Sequence, residues 1–429
     1  MRTLIKGGRV IDPSNDKDGQ YDILIEDERI VKVNKDINES VDKTINAKGC
    51  WVVPGFIDLH VHLREPGYEH KETIKTGSAS AAKGGFTTIC AMPNTNPIID
   101  NEYLVEYVKM KAEKEAVVNV LPIGAITKEQ KGEELANIGN MAKAGICAIS
   151  EDGHTVMNGA LYKKAMTYGK MFGLPVFAHC EDKNLVGKGA MNAGDKALSL
   201  GLPGIGTDVE DVIISRDIIL AEKTGVKLHL CHMSTEGSVK LLKRAKEDKV
   251  DVTGEICPHH FTLTDEDIMD FDTNYKMNPP LRTKKDVEAL KQALQEDIID
   301  IIATDHAPHH IDDKNKPFGE AAFGIVGLET AVPLTITELV KKEYITPSQM
   351  VAKMSLNPAN RIGIDKGTLS EGKMADITII NPEQEYTIKC NTFASKGKNS
   401  PFDNKDVQGM VIYTLVSGEV IYEVDNDLD

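Results

Sequence analysis

Apolar positions along this chain fall into three regimes. From residue 1 to about 50, short stretches rich in β-branched residues at 3–6, 9–12, 21–25 and 29–33 are separated by turn residues, which predicts short strands. Strands this short need a partner sheet. From 51 onward, apolar runs of strand length predict strands at 51–60, 86–92, 117–126, 145–151, 175–180, 227–233, 251–257 and 299–305. Segments of helical period lie between most of them, at 72–83, 102–114, 132–144, 209–223, 238–246 and 285–294, and another at 328–341 follows the eighth strand. After a last helix at 347–354 the β pattern returns at 376–380, 386–388, 409–416 and 419–422.

Eight strand–helix units in one run predict an α/β fold, a (β/α)8 TIM-type barrel. The two chain ends are expected to combine into one flanking β-sandwich domain. The expected division is 1–50 and 361–429 for that domain and 51–360 for the barrel. A doubly wound open sheet is the alternative. Against it, Lys83-Gly84-Gly85-Phe86 reads as a helix end and turn rather than a phosphate-binding loop. The acidic tail at 425–429 is expected to fray.

Composition narrows the partners. Fifty basic residues against 66 acidic ones leave a net charge of −16, which argues against nucleic acid. No apolar run approaches a membrane span, and residues 1–8 are too short and polar-interrupted to read as a signal peptide. The seven cysteines form no C-x-x-C pair and mostly sit in apolar runs, so they are expected to be small core residues of a cytoplasmic protein.

Polar residues gather where a barrel enzyme needs them, at the C-terminal ends of the strands. The first strand ends in Asp58-Leu59-His60-Val61-His62-Leu63-Arg64. Alternate strand residues share a face, so His60 and His62 point the same way and suit one divalent metal. A lone H-x-H is more often a pair of surface histidines, but later strand ends add Asn94, Asp152, His179, His232, His259-His260 and Asp305. The pair at 259 and 260 also reads as a strand cap. His229 is out of phase with His232 and is expected to face outward.

His60, His62, Asp152, His179, His232 and Asp305 make a nitrogen and oxygen ligand set. Six ligands exceed the three typical of one catalytic zinc and suit two metals about 3.5–4 Å apart with a bridging carboxylate. Such a pair holds a hydroxide at neutral pH, because metal binding lowers the pKa of water to about 7. One metal with an outlying Asp is the alternative. Arg64, Asn94, Asn278 and His309 form a second polar set. Arg64 suits a carboxylate through its two-pronged guanidinium. Asn94 and Asn278 sit among prolines and read equally well as turn residues. Residues 308–324 read as a lid over the barrel mouth or as a mobile loop.

Asp58-Leu59-His60-Val61-His62-Leu63-Arg64-Glu65-Pro66-Gly67 resembles the first signature of the dihydroorotases. Ala303-Thr304-Asp305-His306-Ala307-Pro308-His309, with Lys314 five residues on, resembles the second. Gly84-Gly85-Phe86-Thr87-Thr88, Met92-Pro93-Asn94-Thr95, Ser150-Glu151-Asp152-Gly153, Ala178-His179-Cys180-Glu181, His232-Met233-Ser234-Thr235 and Cys257-Pro258-His259-His260 match the same family. The resemblance runs from about Lys6 to Ile421 and points to the longer, bacterial-type form within the amidohydrolase superfamily.

It implies the reversible interconversion of N-carbamoyl-L-aspartate and L-dihydroorotate in pyrimidine synthesis, by a metal-bridging hydroxide attacking the ring amide. It implies two Zn²⁺ per subunit. His60, His62 and Asp305 would hold one, His179 and His232 the other, and Asp152 would bridge. Asp305 would also be the general acid and base. His62, Arg64, Asn94, Asn278, His309 and the backbone of Phe323 and Gly324 would bind substrate. Hydantoinases, and some dihydroorotases, bridge with a carboxylated Lys at the place where Asp152 stands here, which favours the dihydroorotase branch that bridges with Asp.

A hydantoinase-, dihydropyrimidinase- or allantoinase-like cyclic amidohydrolase is the runner-up. A scaffold for aspartate carbamoyltransferase is a third reading, and a homodimer is expected. One departure from the family, Pro401-Phe402-Asp403-Asn404, falls in the flanking domain and is expected to matter little for the site.

Overall fold

The computed structural model describes residues 1–424, so the acidic tail expected to fray lies outside the described residues. Eight parallel strand positions follow one another in chain order. They are Phe56–Val61, Phe86–Ala91, Asn119–Pro122 continued by Gly124–Ala125, Ile149–Ser150, Val176–Ala178, Leu228–Leu230, Val252–Ile256 and Ile301–Ile302. A parallel bridge between Val61 and His306, with the His62 N–H donating to the His306 carbonyl at 2.9 Å, joins the last strand position to the first. Ile57, Leu59, Cys90, Met92, Ile123, Phe177, Cys231 and Ile301 pack into one of the buried clusters that these strands enclose.

Helices follow the strands because polar caps start them. Thr73, Asn101, Thr235 and Thr283 accept backbone N–H bonds at the starts of Ile74–Lys83, Glu102–Glu115, Glu236–Glu247 and Lys284–Gln295. The helix expected over 132–144 shrinks to Ile138–Ala144, because Leu135 is held in an extended bridge to Thr127. A helix at Gly159–Lys170, capped by Asn158, was not among the expected ones.

The strand expected over 51–60 is two strands that break at Gly55. Trp51–Pro54 pairs with Ile377–Thr387 and with Arg2–Asp12, so it belongs to the flanking sheet and not to the barrel, beyond the boundary expected at residue 50. At Gly55 a β-carbon would lie 2.2 Å from Thr87 Oγ1, so only glycine lets the chain pass between the two layers there. The flanking sheet has eight strands and draws on both chain ends. Ile5, Val10, Ile23, Ile45 and Val52 share its core with Leu369, Ile377, Ile379 and Leu415. Two pairs of expected strands are in fact single bulged strands. Residues 3–6 and 9–12 merge into Arg2–Asp12, and 376–380 and 386–388 into Ile377–Thr387. Among the described residues no helix is long and apolar enough to cross a membrane. All seven cysteines are free thiols, five of them buried.

Candidate active site

The six expected ligands converge, although they come from five separate strand ends. His60 Nε2 lies 3.2 Å from Asp152 Oδ1 and 3.4 Å from Asp305 Oδ1. His62 Nε2 lies 3.1 Å from Asp305 Oδ1 and 3.4 Å from Asp152 Oδ2. On the other side His179 Nδ1 and His232 Nε2 are 2.9 Å apart, and Asp152 Oδ1 is 3.5 Å and 3.8 Å from them. Asp152 therefore stands between two histidine pairs, and all six side chains are buried.

Burial without partners is costly for polar atoms. His60 Nε2, Asp152 Oδ1, His179 Nε2 and His232 Nδ1 are nevertheless buried without a hydrogen-bond partner. Two of these orphans, His60 Nε2 and Asp152 Oδ1, face one another across the centre. The donor set is all imidazole and carboxylate, which fits a divalent metal. His60, His62 and Asp305, and separately His60, Asp152 and His232, bring one ligand atom each within 4.8 Å of the others.

Carboxylates orient the expected ligands from behind. Glu255 Oε1 sits 2.7 Å from His60 Nδ1 and Oε2 sits 2.8 Å from His229 Nε2. The imidazoles outweigh burial and hold the Glu255 carboxyl well below the usual carboxylate range. Its ionised form accepts from His60 Nδ1–H, which leaves Nε2 unprotonated and facing the centre. Asp58 Oδ1 accepts from the N–H groups of His60, at 3.0 Å, and Thr304, at 3.2 Å, tying the first strand to the last.

His229 is thus not outward-facing as expected. It is fully buried against Phe177, with ring centroids 4.8 Å apart, and bonded to Glu255. The phase argument failed because Leu228–Leu230 ends before His232, whose backbone turns to φ +34°. His259 and His260 do not cap the strand end as side chains. They lie buried on the short helix Pro258–Thr262, with His260 Nε2 bonded to the Pro279 carbonyl.

The second polar set surrounds this centre and is more open. Arg64, Asn94, Asn278, His309 and Phe323 are half-buried, whereas the six expected ligands are buried. Asn94 is no bystander of its turn: its side chain bonds His62 Nδ1 at 2.9 Å and Asp152 Oδ2 at 3.3 Å. Asn278 donates to Glu181 Oε2 at 2.6 Å. Arg64 Nε donates to the Pro308 carbonyl at 3.2 Å, and its guanidinium lies 3.4 Å from His309 Nε2. His309 lies 2.8 Å from the Phe323 carbonyl through Nε2 and 3.4 Å from Lys71 Nζ through Nδ1. Burial, with Arg64 and Lys71 beside it, pushes the His309 imidazole down to about 2, so it is neutral. It then accepts from Lys71 and donates to Phe323. Gly324 is already paired, its N–H to the Lys276 carbonyl at 3.0 Å and its carbonyl to Lys314 Nζ at 3.0 Å.

Sequence reasoning missed Glu255 and Lys71, gave Asp58 no role of its own and turned His229 outward. The available signal was a Glu inside the apolar run Val252-Thr253-Gly254-Glu255-Ile256, since a charge buried in a strand needs a partner. It also said nothing of the stretch before Pro401. In the structure that stretch reaches the barrel mouth, where the Ser395 hydroxyl and the Lys396 N–H bond Glu72.

Residues 49–238 match a family model described as dihydro-orotase-like, and residues 240–422 match one described as an amidohydrolase family. A protein of Acetivibrio thermocellus named dihydroorotase is 52% identical over 97% of this chain and 98% of its own. Another of that name, from Caldanaerobacter subterraneus subsp. tengcongensis, is 51% identical over 99% and 98%. Among solved structures, an L-hydantoinase (dihydropyrimidinase) from Arthrobacter aurescens superposes with a TM-score of 0.89 at 25% identity, covering 98% of this chain and 96% of its own. These full-length likenesses, at about twice the identity seen to the hydantoinase, show that the chain belongs to the dihydroorotase family.

Proposed function

We propose that this enzyme interconverts N-carbamoyl-L-aspartate and L-dihydroorotate, opening and closing a cyclic amide, with the residues of the buried centre in the roles below. The observation that carries the reading is the convergence of two histidine pairs on Asp152, with Asp305 at 3.1 Å from His62. His60, His62 and Asp305 would hold one metal and His179 and His232 a second, with Asp152 shared. The nitrogen and oxygen donors favour Zn²⁺. Bound there, metal supplies a water ionised near pH 7 and polarises the amide carbonyl.

The chain's own residues do the rest. Asp305 ends the eighth strand position, and burial opposes its charge. The imidazoles of His60 and His62 outweigh burial and keep its carboxyl below the usual range. It therefore starts ionised, takes a proton from the attacking water and returns it to the departing ring nitrogen. Ring closure uses the same carboxyl in reverse, beginning protonated. Arg64 grips the substrate carboxylate, the group that dihydroorotate has and simple hydantoins lack. Asn94, Asn278 and His309 hold the ring polar groups, and the buried surround excludes bulk water.

A homodimer and a complex with aspartate carbamoyltransferase belong to the same reading, and the seven free thiols support a cytoplasmic setting. The test is metal removal. Exhaustive chelation should abolish turnover of dihydroorotate while the fold persists. Zinc should restore it with up to two ions per chain, and hydantoin and allantoin should be poor substrates. Full turnover by metal-stripped protein, or a preference for hydantoin, overturns the proposal.

A further inference from the structure

The loop Cys390 to Pro401 belongs to the flanking domain, yet one of its residues is spent wholly on the barrel mouth. Asn399 is 5% exposed. Its Oδ1 accepts the His309 N–H at 3.0 Å, and its Nδ2 donates to the carbonyls of Ala307 at 3.1 Å and Gly324 at 3.0 Å. Both donors and one acceptor of the carboxamide are thereby engaged. Its own carbonyl accepts the Val326 N–H at 2.9 Å. The approach is close enough that a β-carbon on Gly397 would lie 2.7 Å from Pro308 Cβ.

Between Ala307 and His309, two of the three residues that the Asn399 side chain grips, lies Pro308, whose carbonyl orients Arg64 at 3.2 Å. Moving 307–309 therefore moves Arg64 and His309 together. Only a primary amide of this length offers two N–H donors and an acceptor at once. A carboxylate in its place keeps the bond to His309 and turns its charge on two carbonyl oxygens.

We propose that Asn399 is a positioning residue for substrate: the flanking domain sets, through this one carboxamide, the backbone that places Arg64, His309 and Gly324 at the barrel mouth. This rests on the reading of Arg64 and His309 as substrate-binding residues. Asn399 touches no metal ligand, so its loss should weaken substrate binding and leave the chemical step alone.

The test compares Asn399→Ala, Asn399→Asp and Gly397→Ala with His309→Ala in the metal-loaded enzyme. The readouts are KM and kcat for dihydroorotate, metal per chain, and the rate of tryptic cleavage in 311–324. Losing one or two neutral hydrogen bonds should raise KM about tenfold. The rise should come with kcat within about threefold of wild type, unchanged metal and faster cleavage that substrate suppresses. Asn399→Asp is isosteric and keeps the assay usable where the alanine variant folds poorly. If His309→Ala raises KM and neither Asn399 variant does, the inference falls and the site reading stands. If His309→Ala leaves KM unchanged, the site reading falls and takes the inference with it. Parallel loss of kcat, KM and metal would make Asn399 a fold residue only and overturn the proposal.

Discussion

Removing the charge of Glu255 should loosen metal without touching a ligand. Glu255 is fully buried, with Oε1 2.7 Å from His60 Nδ1, Oε2 2.8 Å from His229 Nε2, and the His232 N–H donating to Oε1 at 3.2 Å. Glu255→Gln keeps the shape and has two ways to sit. With the amide oxygen toward His60, the tautomer of His60 is preserved. The amide nitrogen then faces His229, which must shift its proton to Nδ1 and donate to Thr253 Oγ1, 2.8 Å away. With the amide turned round, His60 carries its proton on Nε2 and cannot ligate. Bonds to a charged group contribute about 1.5–3 kcal/mol and neutral ones about 0.5–1.5 kcal/mol. Neutralising two such bonds therefore costs about 2 kcal/mol, which is about thirtyfold in an equilibrium constant. That falls inside the range of about 10–100-fold seen when partners of metal-binding histidines are changed. The assay is metal content after equilibration against a series of buffered free zinc concentrations, with the thermal midpoint of the metal-free protein alongside. A metal dissociation constant within twofold of wild type would refute the argument, because the carboxylate would then play no part in holding His60. Glu255→Ala should do worse and destabilise the metal-free fold, since three buried groups lose their partner at about 1–3 kcal/mol each.

Three further outcomes follow from the same geometry. Asp305→Asn keeps the shape but cannot accept a proton, so turnover should fall by at least about 10²–10⁴ in both directions with metal largely retained; near-normal turnover at full metal content would remove Asp305 from the chemistry. Arg64→Lys keeps charge but loses the two-pronged contact, so KM should rise while metal content stays the same, and unaltered kinetics would move the carboxylate site elsewhere. His309, with an ordinary value of 6.5, is pushed down to about 2 in the folded protein, so the unfolded chain takes up its proton first as pH falls. Its contribution to stability is complete above 6.5 and is lost as pH drops from there toward 2; His309→Gln should therefore flatten the fall of Tm between pH 7.5 and 5, and parallel Tm curves would contradict it.

Much of this architecture is legible in the chain because it follows period. Apolar runs of strand length separated by helical stretches marked all eight barrel strand positions. The polar residues at their ends marked the six side chains that converge on the centre, because side chains at strand ends point into the barrel mouth. What escaped was set by close approach and by long-range partners. Gly55 divides two layers only because Thr87 crowds it, and Thr87 is 32 residues away in sequence. The helix Gly159–Lys170 carries its buried face on Tyr162, Ala165, Met166 and Gly169, a helical spacing weakened by two glycines. His229 was assigned to the wrong side because alternation was extended past the end of a three-residue strand. Asn399 was invisible in principle: nothing local in Lys398-Asn399-Ser400 says that its amide reaches a loop some 75 to 92 residues earlier.

The backbone at the site explains why alternation can find such residues and still misjudge their direction. Arg64, His232 and Asp305 are not glycines, yet they have φ of +62°, +34° and +47°. Each such conformation costs about 1–3 kcal/mol and persists only where the surroundings overdetermine it. Here they do. The His232 N–H is held by Glu255 at 3.2 Å. The Tyr68 N–H returns to the Arg64 carbonyl at 2.9 Å. Beyond Asp305 the His306 N–H is held by Thr304 Oγ1 at 3.0 Å, and the His306 carbonyl by the His62 N–H at 2.9 Å. Arg64 and His232 lie beyond the ends of the strands Phe56–Val61 and Leu228–Leu230, and Asp305 lies between the strand Ile301–Ile302 and the bridged His306, where the period of two is interrupted. A left-handed turn at that point swings the side chain off the sheet and into the barrel mouth, so side chains from five strands can meet there. The strain lies in the residues read as gripping the substrate, binding metal and carrying the proton. Fixed backbone of this kind keeps reacting groups in register without help from the substrate.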